Sequence, residues 1–193
     1  RISTYENVGW YSLQANVKLH KHWGINTEYH WRRSNVITNW QQSLLRLGVN
    51  YHINPRVQLR AGYAWVETFP YGNIPINSYG KVFTEHRFFE TLQLQHKEGS
   101  IELSHRFMLE QRFVGKYTSA NSLHENEYPL LHRARYMFRL QFPLKGKELK
   151  DHTPYAALYD EIFIGFGNHV NANVFDQNRF GALLGYRFNP QLR

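Results

Sequence analysis

The chain has 193 residues, enough for one domain with a sizeable interior. It has no cysteine, which excludes a disulfide framework and a thiolate metal site, and no run of about 18 apolar residues, so no transmembrane helix is expected. The formal net charge of +8 suggests nucleic acid at first sight, but the placement of the charges argues against it.

The first segment, near 9–20, alternates apolar Tyr11, Leu13, Ala15, Val17 and Leu19 with polar Ser12, Gln14, Asn16, Lys18 and His20. Side chains of a strand point to opposite faces, so this is a β period. Further strands are predicted near 24–34, 40–53, 56–68, 84–96, 100–113, 133–143, 155–167 and 176–188, and another would begin at Leu192. In 40–53, Leu45, Leu47, Val49, Tyr51 and Ile53 share one face; Leu44, Arg46, Gly48, Asn50 and His52 share the other. Connectors alternate between short turns (20–23, 54–55, 97–99, 189–191) and longer loops (35–39, 69–83, 114–132, 168–175); 144–154 is intermediate and falls on the short side. Segments of about ten alternating residues, with short turns at one end and long loops at the other, are the signature of a transmembrane β-barrel.

Lysines fall mostly in turns, whereas arginines dominate the strand bodies. A crowded polar interior prefers arginine, whose planar fork pairs with carboxylates. Aromatic residues make up 16% of the chain and cap both ends of the apolar face. Tyr11, Trp31, Trp65 and Phe113 lie toward the long loops; Trp23, Tyr51, Tyr186 and Phe188 lie toward the short turns. Such girdles mark membrane interfaces. A soluble barrel or sandwich, burying the apolar face instead, is the alternative. The parity of the strands and the turn at 189–191 predict a barrel of about 10–12 strands, incomplete at its C-terminal end. Its N-terminal end is either short of a strand or threaded through the barrel, and Arg1, opening directly into polar sequence, points to a processed or trimmed terminus.

Four blocks in order carry a resemblance: Glu85-His86-Arg87, Arg106 to Phe113 (RFMLEQRF), Tyr159 to Ile164 (YDEIFI) and Phe175 to Arg179 (FDQNR). Together they resemble the outer-membrane proteins of Bacteroidota catalogued as domain of unknown function 2490, over nearly the whole chain. The resemblance implies an outer-membrane barrel whose pattern continues past this chain's end. It implies no activity, substrate or catalytic residue.

With the apolar face toward lipid, the lumen would hold Lys18, Arg32, Arg46, Arg60, Arg87, Arg106, Arg112, Arg133, Arg135, Arg139, Arg179 and Arg187, opposed by Glu28, Glu85, Glu102, Glu110 and Glu161. Either these charges pair into a filled interior, or the excess arginine lines an anion path. Ser104 and His105 are adjacent in a strand and diverge, so they form no dyad; Glu28 with His30, and His86 with Glu90, share faces without a serine. His20 and His22 flank a turn with no third ligand, so no metal or other cofactor is expected. Glu90 lies on an otherwise apolar face, with His105 as a candidate cross-strand partner. The loops 69–83 and 114–132 could plug the barrel or dock a partner.

The expected protein is a non-enzymatic structural or accessory subunit in the outer membrane of a Gram-negative bacterium. Its surroundings would be outer-membrane lipid and lipopolysaccharide, and its partners other outer-membrane proteins or surface lipoproteins, not nucleic acid. A small porin-like anion channel is the alternative, and an outer-membrane hydrolase the third.

Overall fold

In the computed structural model, which describes residues 7–72, 77–168, 170 and 174–189, the alternation becomes one antiparallel sheet with no helix among the described residues. Nine strands follow in chain order: β1 (Val8–Lys18), β2 (Trp23–Ser34), β3 (Asn39–Asn54), β4 (Val57–Thr68), β5 (Phe83–Glu98), β6 (Ile101–Val114), β7 (Leu130–Pro143), β8 (Thr153–Phe166) and β9 (Phe175–Arg187). Each pairs only with its sequence neighbours, giving a nine-stranded meander. The expected strand at Leu192, and any before Val8, fall outside the described residues or at their edge. The described sheet does not close, because β1 and β9 pair with β2 and β8 alone.

Turn chemistry sets the register. Gly99 and Ser100 form a two-residue hairpin loop between Glu98 and Ile101, and Gly99 takes a φ of 59°. A glycine there costs nothing sterically and matches the twist of the flanking strands. Pro55 and Arg56 join β3 to β4, with the Asn54 side-chain oxygen accepting the Arg56 N–H at 2.8 Å. Register shifts at Arg32/Arg33 and His52/Asn54 are bulges, which strengthen twist locally.

The sheet curls with its polar face inward. Three ion pairs among the described residues skip a strand: Glu28 on β2 with Arg60 on β4 at 3.2 Å, Arg106 on β6 with Glu161 on β8 at 2.8 Å, and Arg133 on β7 with Asp176 on β9 at 3.1 Å. Across the whole sheet, the Arg179 guanidinium on β9 sits 4.8 Å from the Trp10 ring centroid on β1. Glycines make room for this curvature. A Cβ on Gly62 would strike the Leu47 carbonyl, and Gly181 and Gly185 lie under the rings of Tyr159 and Tyr155.

Burial is inverted relative to a water-soluble sheet. On β3, Leu45, Leu47 and Val49 are 38%, 49% and 49% exposed. Their alternates Arg46, Gly48 and Asn50 are buried. The concave face is filled by charge plus a few apolar side chains, Leu44, Val66, Phe89, Met108 and Phe163. Alternation already places Leu44 and Val66 on this face, although all five interrupt the polar pattern of their strands.

Candidate functional site: the basic concave face

Four buried glutamates, each 3% exposed or less, organise the concave face. Glu28 accepts from Arg46 Nη1 at 2.6 Å and from Arg60 Nη1 at 3.2 Å, with His30 Nε2 at 3.2 Å. Glu85 accepts two hydrogen bonds from Arg87, both 2.8 Å, and is also gripped by Arg112. Glu110 accepts from Arg133 Nε at 2.7 Å and Arg135 Nη1 at 3.1 Å. Glu161 accepts from Arg135 Nη2 at 2.7 Å and Arg106 Nη2 at 2.8 Å, with Arg179 farther off at 3.9 Å. Arg133 also reaches Asp176 at 3.1 Å. Removing so much charge from water is tolerable only when each ion finds a partner, and forked guanidinium–carboxylate pairs supply the strongest such bonds.

Aromatic rings complete the clusters. The Phe163 ring lies 4.5 Å from the Arg135 guanidinium, 5.0 Å from that of Arg179 and 5.3 Å from that of Arg133. Arg32 stacks on Trp10 at 3.9 Å, and no carboxylate among the described residues lies within ion-pair distance of it. Trp10 is not singled out by the sequence reasoning, although alternation with Tyr11 already places it on the polar face. A cavity of about 480 Å³ remains between the clusters. Thr68, Phe83, Val114 and Leu131 on its wall stand at the strand ends nearest the long connectors.

Of the expected lumen arginines, Arg32, Arg46, Arg87, Arg106, Arg112, Arg133, Arg135 and Arg179 line this cavity, and Arg60 joins through Glu28. Two stand apart. Arg139 donates to Gln141 at 2.6 Å toward the short-turn end, and Arg187 pairs there with Asp151 at 3.2 Å and the Leu149 carbonyl at 3.0 Å. The aromatics of the apolar face form contacts at both ends. Tyr11 stacks on Trp31 at 5.8 Å, and Trp65 and Phe113 flank His86 in register. At the other end Trp23 meets Tyr51 at 4.7 Å, and Tyr186 meets Phe188 at 4.7 Å.

The cross-strand partner expected for Glu90 is corrected. The two-residue turn at Gly99 places Leu109, not His105, opposite Glu90, and Gln111 Nε2 donates to the carboxylate at 3.2 Å. His105 instead lies 2.9 Å from the Tyr136 hydroxyl. Ser104 faces Arg139 across the ladder while His105 faces Phe138, so the two diverge as alternation requires. No cluster of three metal-ligating side chains occurs among the described residues.

The two long connectors are stitched to each other. Lys81 Nζ donates to the Ala120 and Ser122 carbonyls at 2.6 and 2.8 Å. The Tyr117 hydroxyl donates to the Val82 carbonyl at 2.7 Å, and Glu125 accepts the Thr84 N–H at 2.8 Å. Residues 73–76 lie outside this description.

No curated protein and no solved structure matches the chain. A family model does, over residues 7–193, including all four blocks that carried the resemblance. The chain therefore belongs to the family described as protein of unknown function DUF2490.

Proposed function

We propose that this protein is an integral barrel of a Gram-negative outer membrane, of the Bacteroidota type. In this role it serves without catalysis as a structural or accessory subunit of an outer-membrane assembly. The inverted burial carries the proposal: leucine, valine and phenylalanine cover the exposed convex face, while four glutamates and their arginines fill the concave one. Contiguous exposed apolar surface on this scale favours contact with lipid or with another membrane protein. Lipid and lipopolysaccharide would meet the convex face, and the stitched loops would offer a firm surface to other outer-membrane proteins or surface lipoproteins. Closing the open edges β1 and β9 with further strands, to about 10–12, would satisfy their unpaired backbone groups.

An accessory role rather than a pore is favoured because the carboxylates staple the arginines across the interior. A hydrolase is disfavoured by the divergence of Ser104 and His105. The deciding experiment records single-channel currents from folded, heat-modifiable protein in planar bilayers under a salt gradient. No steady conductance is expected. Steady anion-selective conductance would replace the accessory role with the channel. Failure of bromolipids to quench the convex-face tryptophans Trp23 and Trp65 in liposomes would overturn the membrane assignment itself.

A further inference from the structure

We infer that the concave face holds a binding site for a small oxyanion, a phosphate- or carboxylate-bearing solute, built by Arg32, Arg179 and Trp10 at the end nearest the long connectors. Both guanidiniums lie over the same indole, at 3.9 and 4.8 Å from its centroid. Like charges held together inside a protein repel and require a counter-charge. The described residues supply little of it. Arg32 has no carboxylate partner among them, and Arg179 stands 3.9 Å from Glu161 Oε2, beyond hydrogen-bond reach, while Arg106 and Arg135 share the Oε1 of the same carboxylate. Every other arginine on the cavity wall has a carboxylate within 3.3 Å, even where Arg46 and Arg60 share Glu28 or Arg87 and Arg112 share Glu85, so the two guanidiniums over Trp10 are the ones left without a close carboxylate.

The space beside it suits a ligand. The cavity of about 480 Å³ that both arginines wall is larger than a bare phosphate needs. The remainder is bounded by Tyr71, Phe83 and Phe163 and by the amide of Gln42, a surface for a compact organic body behind the anionic group. Gln42 Nε2 donates one N–H to the Thr68 hydroxyl oxygen at 2.9 Å and keeps a second, so the two guanidiniums supply the charge and the amide can add a neutral donor. The site needs only the curled sheet, not conduction or lipid on the convex face, so it stands or falls separately from the accessory role.

The test titrates inorganic phosphate into detergent-solubilised protein, read by calorimetry and by the thermal midpoint. Wild type is expected to bind saturably and to gain midpoint. Arg32→Gln and Arg179→Gln should each weaken binding roughly tenfold or more, while Arg139→Gln, toward the opposite end, leaves it within about twofold. Both arginine variants leave the four glutamates with a partner, and retained heat-modifiability shows that they fold. If one does not, the other decides. Absence of saturable binding in wild type overturns the inference, as does equal weakening by Arg139→Gln, which would mark a diffuse charge effect.

Discussion

Replacing Glu110 by glutamine should destabilise the fold by about 3 kcal/mol. Glu110 is 1% exposed and is the carboxylate between Arg133 and Arg135. Removing one member of a buried ion cluster typically costs about 3–5 kcal/mol, because the remaining charge stays desolvated without its partner. The low end applies here, since Arg133 retains Asp176 and Arg135 retains Glu161. Glutamine keeps the shape, so the loss reads charge rather than packing. Urea unfolding of the detergent-folded protein, followed by heat-modifiable migration and tryptophan fluorescence, measures it; about 3 kcal/mol is roughly a hundredfold in the folded-to-unfolded ratio. Glu110→Leu combined with Arg133→Met should cost less than Glu110→Gln alone, because no charge of that pair is then stranded. A Glu110→Gln stability within about 0.5 kcal/mol of wild type would refute the idea that these charges are effectively desolvated.

Gly62→Val should lower stability by about 3 kcal/mol or block folding, because its Cβ meets the Leu47 backbone rather than a movable side chain; a urea midpoint equal to wild type would contradict this. If the convex face meets lipid as proposed, Glu90→Leu should stabilise the protein in bilayers by about 1 kcal/mol, since a carboxylate there is unfavourable. Loss of stability would show that the hydrogen bond from Gln111 outweighs that cost. Lys81→Ala should speed proteolytic cleavage within 115–129 while leaving global stability within about 0.5 kcal/mol; unchanged cleavage would mean that the other loop contacts suffice.

All nine strands are legible in the alternation, because each carries apolar residues at successive odd or even positions. Their ends are less so: β7 begins at Leu130, where Leu130-Leu131-His132 does not alternate, and a strand beginning near 133 is expected there instead. Register between strands is harder to read. A turn taken as Lys97-Glu98-Gly99 shifts the ladder, and with it the partner of Glu90; the hydrogen-bonded loop is Gly99-Ser100. For the concave face, the arginines and glutamates are legible as two opposed sets, but not which carboxylate serves which guanidinium. That depends on curvature, which brings β2 to β4 and β9 to β1. Trp10, Phe89 and Phe163 read as exceptions within polar faces until the rings are seen beneath guanidiniums.

For a sheet that grows in chain order, the ion pairs that skip a strand set when each charge meets its partner. Arg60 enters with β4 and finds Glu28 already in place two strands back. Arg106 enters with β6, and its carboxylate, Glu161, arrives only with β8. A sheet halted at β7 thus holds a guanidinium awaiting its counter-charge, and the docking of β8 brings Glu161 to Arg106 while giving Arg135, already paired with Glu110 on β6, a second carboxylate. Since a one-residue slip would turn Glu161 to the opposite face, that pairing forms only when β8 is in register with β6 and β7.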